Sequence, residues 1–149
     1  MDLSKHLNAT YAAEYAREYL ETREGRYSFS DLDNILLGQL NLWKMNGDIL
    51  VADTELTVIK IWADDKFGSS SSLIDQHYKS QHFDHYFLCS PDIPWQPDPL
   101  REDPNRRITL FECYEKELRA LNRQYTILQG SKEERIKKSI EQLQKLKLI

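Results

Sequence analysis

Gly47-Asp48-Ile49-Leu50-Val51-Ala52-Asp53-Thr54 is the stretch that decides the fold. Ile49 to Ala52 are apolar without interruption, which suits a strand covered on both faces rather than one with alternating sides. Asp53 arrives at its carboxyl end, the position where open α/β sheets place their ligands. On the amino side, Ser30 with Asp33 three residues on resembles a capping box. Leu32, Ile35, Leu36, Gln39, Leu40 and Trp43 then follow one helical face, up to a stop signal at Asn46-Gly47. On the carboxyl side, Leu56, Ile59, Lys60 and Ala63 predict a helix over Thr54 to Phe67.

The same alternation continues outward in both directions. Toward the start come a helical stub at Leu3 to Leu7, a short strand in Ala9 to Ala13, and a helix over Glu14 to Glu21. Beyond Gly68 and the serine run lie a helix at Leu73 to Gln81 and a strand at His85 to Cys89. The proline-rich segment from Pro91 is too long for an ordinary connector, so residues 91–107 read as a lid. A strongly amphipathic helix follows over Asn105 to Leu121, then a strand at Gln124 to Leu128. Ser131 and Glu134 form a capping box that opens a last helix reaching about Leu146. Strands alternating with helices predict an α/β fold, a parallel sheet with helices on both faces.

The 149 residues suit one domain, and their 40% hydrophobic content suits one core. With 20 Lys+Arg against 24 Asp+Glu, the net charge of −4 argues against a nucleic-acid partner. No apolar run approaches the roughly 20 residues that span a bilayer, so no membrane partner is expected. The first residues carry no apolar signal region, and two cysteines make no disulfide framework, which together predict a cytoplasmic protein.

Four further segments carry a resemblance. They are Glu14-Tyr15-Ala16-Arg17-Glu18-Tyr19-Leu20-Glu21; Leu37-Gly38-Gln39; Val51-Ala52-Asp53-Thr54-Glu55 with Thr57 to Trp62; and Pro94-Trp95-Gln96-Pro97-Asp98-Pro99-Leu100-Arg101-Glu102-Asp103 with Arg107. In order and spacing they resemble the ribosylnicotinamide kinase domain of NadR-type proteins, a NadR-like AAA domain of the P-loop kinase-like type. The resemblance implies a P-loop NTPase-like sheet of strand order 2-3-1-4-5, with its first strand central. It also implies a phosphate loop GxxxxGK[ST] ahead of the first matched segment, and no such stretch occurs in this chain. Residues 1–149 therefore read as a single domain, N-terminally truncated by roughly 25–30 residues at usual element sizes. Pro99 stands where the family often has glycine, which fixes φ and removes an N–H from the lid.

The implied function is ATP-dependent phosphorylation of ribosylnicotinamide in NAD biosynthesis, with Mg²⁺ and ATP as cofactors, inactive in a chain without the phosphate loop. The alternative is a non-catalytic nucleoside- or nucleotide-binding or interaction module. The implied partner is a small-molecule nucleoside or nucleotide, with a homo-oligomer as a further possibility. By resemblance, Glu14 orients or deprotonates the ribose hydroxyl, and Arg17, one turn later, contacts substrate or phosphate. Read as local chemistry, the two are an i,i+3 ion pair on a solvated helix. Asp53 is the second catalytic candidate, holding Mg²⁺ through water or binding substrate hydroxyls; its structural alternative is capping the helix that starts at Thr54. Trp95 and Asp98 are assigned to substrate, Arg101 and Arg107 to phosphate from a closing lid. The arginines otherwise read as surface charge paired with Glu102, Asp103 or Glu115. His77, His82 and His85 with Asp84 read as solvated side chains rather than a zinc site. Cys89 and Cys113 read as core thiols, and the charges of the last helix, Arg135 among them, as a solvated face.

Overall fold

The structure is a computed structural model describing residues 2–45, 47–94 and 104–149. The chain divides after Gln81 into two compact units. The first holds α1 (Asp2–His6), β1 (Thr10–Ala12), α2 (Tyr15–Glu21), α3 (Phe29–Leu42), β2 (Leu50–Ala52), α4 (Leu56–Phe67) and α5 (Ser72–Ser80). The second holds β3 (Tyr86–Cys89), α6 (Arg107–Ala120), β4 (Tyr125–Leu128) and α7 (Lys132–Lys145).

All strand pairing among the described residues is parallel, as the alternating pattern predicts. It forms two pairs rather than one continuous sheet: β1 with β2, and β3 with β4. The expected double cover of β2 is not met, since Leu50, Val51 and Ala52 are all half-buried. Its ladder runs to β1 alone among the described residues, in the register Thr10–Leu50, Tyr11–Val51, Ala12–Ala52.

The core of the first unit lies under α3 and α4, where Leu32, Ile35, Leu36 and Leu56 are fully buried and Ile59 nearly so. These are the positions that helical spacing selects. The start of α3 differs from the expectation. Its box is Ser28 with Asp31, the Ser28 amide donating to Asp31 Oδ2 at 2.7 Å. Asp33 is occupied elsewhere, accepting from the Ser71 hydroxyl at the head of α5 at 2.5 Å. The helix also stops early, capped at Trp43, and Asn46 of the expected stop signal lies outside the described residues.

In the second unit the buried apolar positions are Tyr86, Leu118, Leu128 and Leu143. Strong amphipathicity in α6 does not translate into deep burial: Leu118 is its buried residue, and Ile108 stands 67% exposed. Cys89 is exposed rather than a core thiol, because it ends β3 past the strand's buried start at Tyr86, while Cys113 is half-buried. Arg135 is not on a solvated face. It lies one helical repeat from buried Ser139 and Leu143, donates to the carbonyls of Gly130 (2.9 Å) and Ser90 (3.1 Å), and pairs with Asp92. The box at Ser131 and Glu134 forms as read from the sequence.

Candidate functional site

Two carboxylates come together at one edge of the first unit. Parallel pairing with Ala12 opposite Ala52 puts the carboxyl ends of β1 and β2 side by side, and the Asp53 amide extends the ladder to the Ala12 carbonyl at 2.8 Å. Glu14 therefore leaves the end of β1 beside the point where Asp53 leaves β2. Tyr11 links them. It pairs with Val51, two residues before Asp53, so its ring emerges on the same face. Its hydroxyl donates to Asp53 Oδ2 at 2.7 Å. The phenol is pushed up to about 12, first by desolvation, then by the Asp53 bond and charge, and further by the charge of Glu14. At neutral pH Tyr11 is thus a fixed donor within electrostatic reach of both carboxylates.

Glu14 is the residue before α2, extended at φ −70°, ψ 104°, and its side chain makes no capping bond to its own helix. It faces Arg17 across 3.9 Å, with side chains 36% and 41% exposed respectively. The local ion pair therefore exists, at the few tenths of a kcal/mol such pairs carry, and it leaves both groups open to solvent. Asp53 is exposed and does not cap α4. That task falls to Glu55, whose carboxylate accepts from the Thr57 amide at 2.9 Å. Between them, Thr54 is held at φ 98°, a left-handed backbone that a β-branched residue adopts only under constraint. The constraint comes from the next turn, where the Gln81 amide oxygen accepts from the Leu56 amide at 3.0 Å and its nitrogen bonds Glu55.

A family model described as an AAA domain matches residues 1–135. The chain belongs to this AAA-domain family. That membership makes it a P-loop NTPase-like, nucleotide-binding type of domain, and the site at the ends of β1 and β2 lies inside the matched span. No curated protein matches the chain. Among the described residues of this AAA domain, no helix is long and apolar enough to cross a membrane.

Of the residues the sequence nominates, Glu14, Arg17 and Asp53 fall in the first unit at this one edge. Trp95, Asp98 and Arg101 lie outside the described residues. Arg107, in the second unit at the head of α6, donates from Nη2 to the Ile93 carbonyl at 2.6 Å, tying that helix start to the stretch after β3. Glu115, named as a possible partner for the lid arginines, instead receives Arg119 at 2.7 Å and the Tyr125 hydroxyl at 2.8 Å. His85 Nε2 lies 2.9 Å from Thr126 Oγ1, and the described residues contain no cluster of metal-ligating side chains. Tyr11 and Gln39 are the site's neighbours to which the sequence assigns no role at the site. Tyr11 looks like an ordinary strand aromatic; Gln39 was visible as a polar residue on the buried stripe of α3.

Proposed function

We propose that the chain is the nucleoside-handling part of a small-molecule kinase domain of the ribosylnicotinamide type. The observation that supports it is that Glu14 and Asp53 both follow the carboxyl ends of two paired strands, with Tyr11 bonded to Asp53 and feeling the charge of Glu14. A ribose offers adjacent hydroxyls, and carboxylates accept charge-assisted hydrogen bonds from such groups. Glu14 orients the reacting hydroxyl or takes its proton, and Asp53, with one oxygen held by Tyr11, receives the second. Arg17 offsets charge beside Glu14. Trp95, Asp98, Arg101 and Arg107 supply substrate and phosphate contacts from the lid in this reading.

Phosphoryl transfer also needs a backbone cradle with a lysine and a placed Mg²⁺. The 149 residues contain no GxxxxGK[ST] stretch. Asp53 offers one carboxylate whose second partner is a phenol, and no cluster of ligating side chains stands with it among the described residues. These residues do not by themselves fit MgATP. The same observation favours a second reading, a non-catalytic module that binds a nucleoside or nucleotide.

Isothermal titration of the chain with nicotinamide riboside and, separately, with MgATP tests both. Riboside binding without MgATP binding supports nucleoside handling uncoupled from phosphoryl transfer. MgATP binding at micromolar affinity overturns the requirement for the phosphate loop, and binding of neither overturns both readings.

A further inference from the structure

We infer that Gln39 is a positioning residue for Glu14, an inference that rests on the reading of Glu14 as the group that meets the nucleoside hydroxyl. Gln39 sits in α3, 1% exposed, and its side-chain amide straddles Glu14. Nε2 donates to the Ala13 carbonyl at 3.1 Å, and Oε1 accepts from the Tyr15 amide at 2.9 Å. Both peptide groups flanking Glu14 are therefore fixed by one buried side chain 24 to 26 residues away. The Tyr15 amide belongs to the first turn of α2, a donor that a helix start leaves without an internal partner. Residues before a helix commonly satisfy such donors themselves. Here Gln39 takes that task, and the Glu14 carboxylate makes no capping bond to its own helix, facing Arg17 there instead.

The neighbouring residue explains how Gln39 reaches so far. A Cβ on Gly38 would lie 2.0 Å from Tyr15 Cε1, so the Tyr15 ring rests directly on the α3 backbone. Gly38 and Gln39 thus act as one device. The first admits α2 to close range, and the second clamps the strand-to-helix connection that aims Glu14. An apolar residue at position 39 would serve the core equally well in volume, yet a buried amide is tolerated only where both its ends are bonded. Here both are.

The test uses the full chain with Gln39→Met, which keeps volume and removes both bonds, and Gln39→Glu, which keeps the acceptor and loses the donor while ionised. Amide hydrogen exchange of Tyr15 is read against Leu32 and Ile35 in α3, together with nicotinamide riboside affinity in single variants and in a Glu14→Gln background. Gln39→Met is expected to speed Tyr15 exchange and weaken riboside binding by about tenfold, the size of one lost buried hydrogen bond, with the exchange of Leu32 and Ile35 little changed. In the Glu14→Gln background the same change is expected to weaken binding less than about twofold, since there is no carboxylate left to aim. Unchanged Tyr15 exchange in a folded Gln39 variant overturns the inference, and so does a fully additive loss of affinity. Where Gln39→Met does not fold, Gln39→Glu carries both measurements. Failure of the unaltered chain to bind riboside overturns the role of Glu14 instead, and the Tyr15 exchange result still decides whether Gln39 holds the connection.

Discussion

Tyr11 Oη donates a 2.7 Å hydrogen bond to Asp53 Oδ2, so the middle residue of β1 holds the carboxylate at the end of β2. The bond joins positions 42 residues apart and exists only because the two strands pair in this register. It fixes one oxygen of an otherwise exposed carboxylate.

Tyr11→Phe removes that donor while keeping the ring. Because the bond is near the surface, thermal stability is expected to fall by only about 0.5 kcal/mol. Riboside affinity is expected to fall several-fold, to roughly a fifth, as Asp53 regains rotamer freedom. In the unaltered chain, ultraviolet titration is expected to show one tyrosine ionising near pH 12. The phenol is raised in the folded state, so its contribution to stability is whole below pH 10 and is lost as pH climbs toward 12.

Gly38→Ala sets two effects against each other. Helix propensity alone favours alanine by about 1 kcal/mol. The added Cβ would meet the Tyr15 ring at 2.0 to 2.4 Å, and displacing a packed aromatic costs about 1–3 kcal/mol. The steric term wins, so denaturant unfolding should show a net loss. Tyr15→Leu in the same chain should make Gly38→Ala neutral or stabilising.

Thr54→Gly relieves the left-handed strain at φ 98°. Unfolding stability is expected to rise, or to change by less than about 1 kcal/mol once the glycine's entropy is counted. Riboside affinity should fall, because a glycine beside Asp53 gives the backbone that carries it more freedom. A stable variant with unchanged affinity would show that the strain serves no ligand.

Acidification should weaken the first unit through Asp31. The Ser28 side chain, the Tyr19 hydroxyl at 2.6 Å and the Ser28 amide hold this carboxyl at about 2 against an ordinary 3.8. The unfolded chain takes up its proton first as pH falls, so the stability is whole above pH 3.8 and is lost toward pH 2. Asp31→Asn should lower stability at neutral pH and flatten that acid limb, as followed by circular dichroism.

Arg135→Met should destabilise the second unit by about 1–2 kcal/mol, because two carbonyls lose their side-chain donor and Asp92 is left with the Gly130 amide alone of the two. Arg135→Lys should recover little, since an ammonium cannot supply the fork that reaches Gly130, Ser90 and Asp92 at once. Urea unfolding of the two variants checks both statements.

What the chain's own pattern determined is local. Apolar spacing placed the buried faces of α3 and α4, the β1 and β2 strands surfaced within a residue or two of their expected ends, and Ser131 with Glu134 capped α7 as a four-residue signal allows. The place of Glu14 and Asp53 just past β1 and β2 was legible because strand ends can be read from neighbouring residues. Tertiary structure alone decided the partners. Asp33 left its own helix for Ser71, Arg135 turned inward to Asp92, and Gln39 spent its amide on Ala13 and Tyr15. A hydrogen bond is directional and short-ranged, so residues 24 to 43 positions apart reveal it only when register and helix approach are fixed. Periodicity shows that a polar residue lies on a buried face; only the packed chain shows which group it satisfies there.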